Sequence, residues 1–171
     1  MSTSKKCGVA PIGCGLEIYT EHEIGNFSGS KKIEVARDEA HVFDFVNRAI
    51  AYENKGKKLL LGKIGNDLSQ RIYQRTLVDL AGYNLELRSD EIRHTLNEHG
   101  DPKKEAPRGQ QAITVDDIAR FPAIVSEFDE VRVSYDNSLH FIKRVKGRVT
   151  AVTIYADGNR SLTLKTMHKR G

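Results

Sequence analysis

Residues 131–167, VRVSYDNSLHFIKRVKGRVTAVTIYADGNRSLTLKTM, decide the fold. Upstream of Asp129 the apolar residues recur with the helical period of about 3.6, and downstream of it the period falls to about 2. Val131 to Tyr135 alternates, Asp136-Asn137 supplies a turn, and Leu139-His140-Phe141 alternates again towards a break at Lys146-Gly147. Val149 to Ala156 reads as a further strand, Asp157-Gly158-Asn159 as a hairpin turn, and Ser161 to Met167 as the last strand. Strands joined by such short turns predict an antiparallel β-meander of about four strands. Alternation then assigns the faces. Leu162 and Leu164 pack inward, and Ser161, Thr163 and Lys165 lie on an open face shared with His140, Arg144 and Tyr155.

Upstream of the meander, the chain is mostly helical. Asp38 caps a helix with Val42, Phe43, Val46, Ala49 and Ile50 on its apolar side. KLLLGKI, residues 58–64, is a short buried strand between glycines. Asn66 or Asp67 then caps a second helix that turns Leu68, Ile72, Thr76, Leu77 and Leu80 inward and stops at Gly82. NLELR, residues 84–88, alternates as a short strand. A third helix of about ten residues comes next, with Ser89 as its expected N-cap and Gly100 as a left-handed stop. Residues 101–112, DPKKEAPRGQQA, read as a surface loop and, by position, as a flap over a site. Thr114 and Asp117 have capping-box spacing, and Pro122 splits the segment before Asp129 into two short helices. The expected class is α+β, with N-terminal helices packed on one face of the meander. The expected organisation is an N-terminal segment over residues 1–32, ending in a Gly/Ser/Lys linker, and one domain over residues 33–171.

Composition narrows the function. A 171-residue chain with 39% hydrophobic and 29% charged residues can bury one core. The longest uncharged run, CGVAPIGCGL at residues 7–16, is broken by glycines and a proline. It predicts neither a membrane span nor a signal peptide. Cys7 and Cys14 are too few for a disulfide framework or a metal quartet and are expected as free thiols. Net charge is +4, unevenly spread. From Leu139 onward, Lys143, Arg144, Lys146, Arg148, Arg160, Lys165, Lys169 and Arg170 oppose Asp157 alone. That end suits a polyanion, although lysine and arginine also protect strand edges and keep a sheet soluble.

The chemistry-bearing residues cluster in DEIRHTLNEHG, residues 90–100. Ile92 and Leu96 make the buried stripe of this helix, so His94 and Asn97 face outward. His99, seven residues after Ile92, returns to the buried stripe. On a straight helix His94 and His99 point roughly 140° apart, and they share a ligand only if the helix unwinds near Asn97. The plainer readings are a surface side chain for His94 and, for His99, a ring tied to the last carbonyls of its helix. Metal-independent RNA cleavage needs a base for the 2′-hydroxyl, an acid for the departing 5′-oxygen, and donors on the crowded phosphate. Histidine suits the first two tasks, and lysine and threonine suit the third. His94, His99, Thr163 and Lys165 supply these groups. His-x4-His is not the helical ligand pair of a zinc site, and no phosphate loop or nucleophile elbow is present, so no metal and no cofactor is expected.

Three stretches, LLLGKIGNDLSQRI, DEIRHTLNEHG and SLTLKTMHKR, together with ITVDDIARFPAIV and the meander, resemble the phage-associated nuclease domains grouped with barnase, EndoU, the colicin tRNases and RelE. Such domains also occur in phage head-morphogenesis proteins and polymorphic toxins. The similarity spans about residues 58–170 and is most specific at Arg93-His94-Thr95-Leu96-Asn97-Glu98-His99-Gly100, then at Leu-Lys-Thr-Met near the end. The resemblance implies a metal-independent endoribonuclease that leaves a 2′,3′-cyclic phosphate. It implies His94 and His99 as the acid–base pair and Thr163 and Lys165 at the phosphate; from the open sheet face and the outward side of the histidine helix, Arg93, Asn97, His140, Arg144 and Ser161 are expected as RNA contacts. It also implies tRNA or mRNA as substrate, an acidic immunity or antitoxin partner, no membrane, and action in the bacterial cytoplasm after delivery by phage or a secretion system. The competing expectation is a non-catalytic domain of a phage particle protein that binds nucleic acid or a partner through the same basic sheet.

Overall fold

The computed structural model describes residues 12–144 and 146–171. Among these residues, eight strands form one curled mixed sheet, accompanied by seven α-helices. In chain order these are β1 (Leu16–Glu17), α1 (Glu21–Phe27), β2 (Ile33–Val35), α2 (Glu39–Ile50), β3 (Lys58–Ile64), α3 (Asn66–Thr76), β4 (Asn84–Arg88) and α4 (Ser89–His99). Then come α5 (Pro102–Glu105), α6 (Val115–Ala119), α7 (Phe121–Ser126), β5 (Glu130–Val133), β6 (Ser138–Arg144), β7 (Arg148–Ala156) and β8 (Ser161–Arg170).

The sheet runs β1-β3-β4-β8-β7-β6-β5, and β2 pairs with the N-terminal half of the β3 edge whose C-terminal half pairs with β1. The expectation of a four-stranded antiparallel meander with N-terminal helices on one face is therefore corrected. β5 to β8 do form an antiparallel meander. They are only half of a larger sheet, because β8 pairs in parallel with β4, and β4 brings in β3, β1 and β2. β1 and β2 are two and three residues long, too short for a period-2 signal. The parallel β4–β8 pairing joins residues 77 positions apart, which no local pattern encodes.

One apolar core lies between the inward sheet face and the helices. Leu59, Leu61, Leu85, Leu87, Leu139, Phe141, Ala151, Leu162, Leu164 and Met167 supply the sheet side; Val42, Phe45, Leu68, Ile72, Ile92, Ile118, Phe121 and Val125 supply the helical side. Each large apolar side chain contributes about 1.5–3 kcal/mol on burial. Ile12 and Leu16 join the same core, the Tyr19 hydroxyl donates to Asn84 Oδ1 at 2.7 Å, and Glu23 pairs with Lys63 at 2.7 Å. Residues 12–23 are thus tied to β3 and β4. Of the two expected free thiols, Cys14 is disulfide-bonded, and Cys7 lies outside the described residues.

Local signals explain most helix ends. Asp38 accepts the His41 backbone N–H at the start of α2, and the Thr114–Asp117 capping box opens α6. α3 stops at Thr76, short of Gly82, because the Thr76 hydroxyl accepts from Val78 N and Leu77 takes a left-handed φ of 61°. Gly100 ends α4 with φ −95°, not left-handed; a Cβ there would lie 2.4 Å from the Leu96 carbonyl oxygen. The expected loop and flap at residues 101–112 is instead α5 and a 3-10 turn at Ala106–Arg108, with Gln111 bridged to Lys169. Among the described residues no helix is long and apolar enough to cross a membrane.

Candidate active site

β4 and β8 pair only from Asn84–Glu86 to Ser161–Thr163. Beyond that point the chain of β4 turns directly into α4, which packs along β8. Ile92 and Thr95 fix the buried side of α4, and His99, at the same helical phase as Ile92, arrives beside the C-terminal end of β8.

His99 Nδ1 lies 2.7 Å from Glu105 Oε1. Glu105 is fully buried, and its other oxygen accepts from Arg108 Nη1 at 2.9 Å. The same guanidinium nitrogen donates to the Glu98 carbonyl at 3.2 Å, which ties the α5 turn back onto α4. Asp101 accepts from Lys103 N and Pro102 occupies the first turn, so α5 is short but well defined. A carboxylate can only accept, so the proton in the His99–Glu105 bond resides on Nδ1, and Nε2 is left for a ligand.

The His168 ring centroid is 6.0 Å from that of His99, at 49° between the planes. His168 Nδ1 is buried without a hydrogen-bond partner among the described residues. Burial pushes the pKa of His168 below the usual histidine value, and His99, His140 and Arg170 push the same way, against Glu105. Burial first, then Arg132, lowers that of His140 as well. Both rings are neutral near pH 7 and able to accept a proton.

A β-bulge brings His168 to this position. β8 pairs Leu164 with Thr153 and Thr166 with Val152, so Lys165 is the extra residue and the side-chain parity flips there. Met167 is therefore buried in the core and His168 is on the opposite face. Uninterrupted alternation from Ser161 would have placed them the other way round.

Cross-strand rows on that opposite face read Arg132–His140–Val152–Thr166, Glu130–Ile142–Thr150–His168 and Arg144–Arg148–Arg170. Acidic partners reach only some of these cations. Glu130 pairs with Arg132 at 2.9 Å and Arg144 at 2.5 Å; Lys169, which alternates to the other face, is held by Asp117 at 2.9 Å. Arg148 and Arg170 have no ion pair among the described residues, and Arg148 Nε is buried without a hydrogen-bond partner there.

The basic C-terminal ribbon and the histidine helix do meet, though at His168 rather than at Thr163 and Lys165. α4 is continuous to His99, so exposed His94 points roughly 140° away from it, and Asn97 is also exposed. Arg93 turns back, donating to the Ala49 carbonyl at 3.2 Å, pairing with Asp90 and stacking on Tyr52 at 4.7 Å. Thr163 Oγ1 is 3.4 Å from Glu86 Oε1, within a buried cluster completed by Lys58. It lies about 15 Å along the strand from His168. Lys165 is exposed at the bulge, Ser161 is buried, and Arg144 is bound to Glu130.

Glu105, His168 and Arg148 are the members that sequence reasoning missed as site residues. Glu105 sits in a tract with two prolines and a glycine that reads as solvated loop, and its burial depends on His99 and Arg108. Among the described residues, no cluster of three or more His, Cys, Asp or Glu is arranged to hold a metal ion.

Residues 62–171 match the family described as phage-Barnase-EndoU-ColicinE5/D-RelE like nuclease3. No curated protein and no solved structure matches the chain.

Proposed function

Because the chain belongs to the phage-Barnase-EndoU-ColicinE5/D-RelE like nuclease family, whose substrates are nucleic acids, we propose that it is an endoribonuclease acting by acid–base transesterification, with His168 and His99 as proton carriers. One observation carries this reading: a carboxylate-anchored imidazole, His99, faces a second, neutral imidazole, His168, across 6.0 Å at the edge of a basic sheet. Neutral His168 takes the 2′-hydroxyl proton while the 2′-oxygen attacks phosphorus. The bond from phosphorus to the 5′-oxygen breaks, and His99 Nε2 gives that oxygen its proton. The products are a 2′,3′-cyclic phosphate and a 5′-hydroxyl. Glu105 stabilises the His99 imidazolium and holds its tautomer. The nucleophile belongs to the substrate, so DNA is bound but not cut by this route.

Exposed His94, Asn97 and Lys165 serve in this reading as contacts to flanking nucleotides rather than as proton carriers. Substrates are tRNA or mRNA in the bacterial cytoplasm, reached by phage or secretion-system delivery. An acidic immunity protein would cover the basic face.

The test incubates the purified full-length chain with total RNA in excess chelator. Expected are cyclic-phosphate ends and a loss of about 10²-fold or more for His99→Ala and for His168→Ala. No cleavage by the wild type, or undiminished cleavage by both variants, refutes the proposal. Salt-sensitive binding without strand breaks would instead establish the second reading, a nucleic-acid-binding domain, which Arg148 and Arg170, without an ion pair among the described residues, favour.

A further inference from the structure

The Arg144–Arg148–Arg170 row lies one rung, two residues along each strand, beyond the rung that carries His168. Two guanidinium side chains, Arg148 and Arg170, are directly opposed there on neighbouring strands. Like charges so placed repel, and neither arginine has an ion pair among the described residues. The nearby acids have other partners: Glu130 holds Arg132 and Arg144, Glu105 holds His99 and Arg108, Asp117 holds Lys169, and Asp129 accepts from the Arg144 backbone N–H at 2.8 Å. Arginine stays protonated, so the buried Nε–H of Arg148 is a permanent donor without an acceptor. A buried donor left unsatisfied costs about 1–3 kcal/mol, and more when charged. An oxyanion seated between the two guanidinium groups would accept from both and remove the repulsion.

We propose that Arg148 and Arg170 form a subsite for the phosphate next to the scissile one, so that the protein acts on oligonucleotides and discriminates against dinucleotides. Two strand residues span about 6.8 Å, so Arg170 stands one rung from the proton carrier on β8 and not on top of it. A chain with one phosphate between His99 and His168 places its neighbouring phosphate over the arginine pair. Arg144, drawn to Glu130, contributes little. This inference rests on the proposed nuclease reading for its kinetic test and stands apart from it for its binding test.

Cleavage of a dinucleoside monophosphate is compared with that of trinucleotides extended on either side, at fixed ionic strength. Expected is at least a tenfold higher kcat/KM for one of the two trinucleotides, and a collapse of that ratio towards one in both Arg148→Gln and Arg170→Gln. Arg148→Lys, which keeps charge without the fork, restores only part of the ratio. Equal kcat/KM for dinucleotide and trinucleotides in the wild type, or a ratio unchanged in both Gln variants, overturns the subsite. Binding is read separately with all-deoxy oligonucleotides of the same lengths, which cannot be cut. The longer one should bind at least tenfold tighter, with a salt slope that falls by about one unit per lost arginine–phosphate contact in the variants. If the protein cuts no RNA yet shows this length dependence, the subsite stands and the nuclease mechanism falls. If length changes neither binding nor cleavage, the subsite falls.

Discussion

Replacing Glu105 by Gln keeps the size of a fully buried side chain and removes one charge from the His99–Glu105–Arg108 chain. In the proposed reaction His99 is an imidazolium that must be held until the 5′-oxygen leaves. Opposite unit charges about 4 Å apart attract by about 4 kcal/mol at an effective dielectric of about 20. Arg108 sits on the other carboxylate oxygen and offsets roughly half of this, leaving about 2 kcal/mol, or about thirtyfold in rate. The assay is kcat and KM on a short RNA at pH 7, with thermal melts to establish that the variant folds. Expected are about a thirtyfold drop in kcat and a smaller change in KM. Arg108→Gln, which leaves the carboxylate unopposed beside His99, should not reproduce that drop. A folded Glu105→Gln protein within twofold of the wild-type rate would refute the idea that Glu105 acts through His99.

The other expectations are simpler. His94→Ala should cleave within about twofold of wild type, since His94 faces away from the His99–His168 pair; a hundredfold loss would return the acid–base role to His94. His168 and His140 bind protons less readily folded than unfolded, so between their lowered values and about 6.5 the unfolded chain holds more protons and stability rises with pH. Denaturant midpoints should accordingly fall on acidification from pH 7 to 5, and less steeply in His168→Asn. Glu34 is held at about 2, below the usual 4.5, chiefly by its hydrogen bonds from Arg48, with His41 adding to the effect. Its contribution is present above about pH 4.5 and is lost as pH falls through about 2, so the stability gap between wild type and Glu34→Gln should close over that interval. Phe121→Ala, at a fully buried position where α7 meets the sheet, should cost about 3–5 kcal/mol in denaturant unfolding.

Much of this protein is written locally. KLLLGKI and NLELR specify β3 and β4, Asp38 and the Thr114–Asp117 box open α2 and α6, Pro122 starts α7, and the Asp136-Asn137 turn, both residues near φ 60°, joins β5 to β6. Side-chain period, capping chemistry and turn preference act over a few residues, so the chain alone determines them. The same holds for the basic bias after Leu139 and for the phase that returns His99 to the buried side of α4. Tertiary structure decided the rest. The parallel pairing of β4 with β8 turned a meander into half of a mixed sheet, because strand neighbours are chosen by burial of both partners and not by adjacency in the chain. The bulge at Lys165 reversed the parity that a strict alternation assigns and delivered His168, not Lys165, to the histidine helix. Glu105 became a buried anchor only because His99 and Arg108 approach it from two other segments. Charge and period are properties of a segment. A catalytic pair is a property of distances between segments, and those are set by the packing of the whole core.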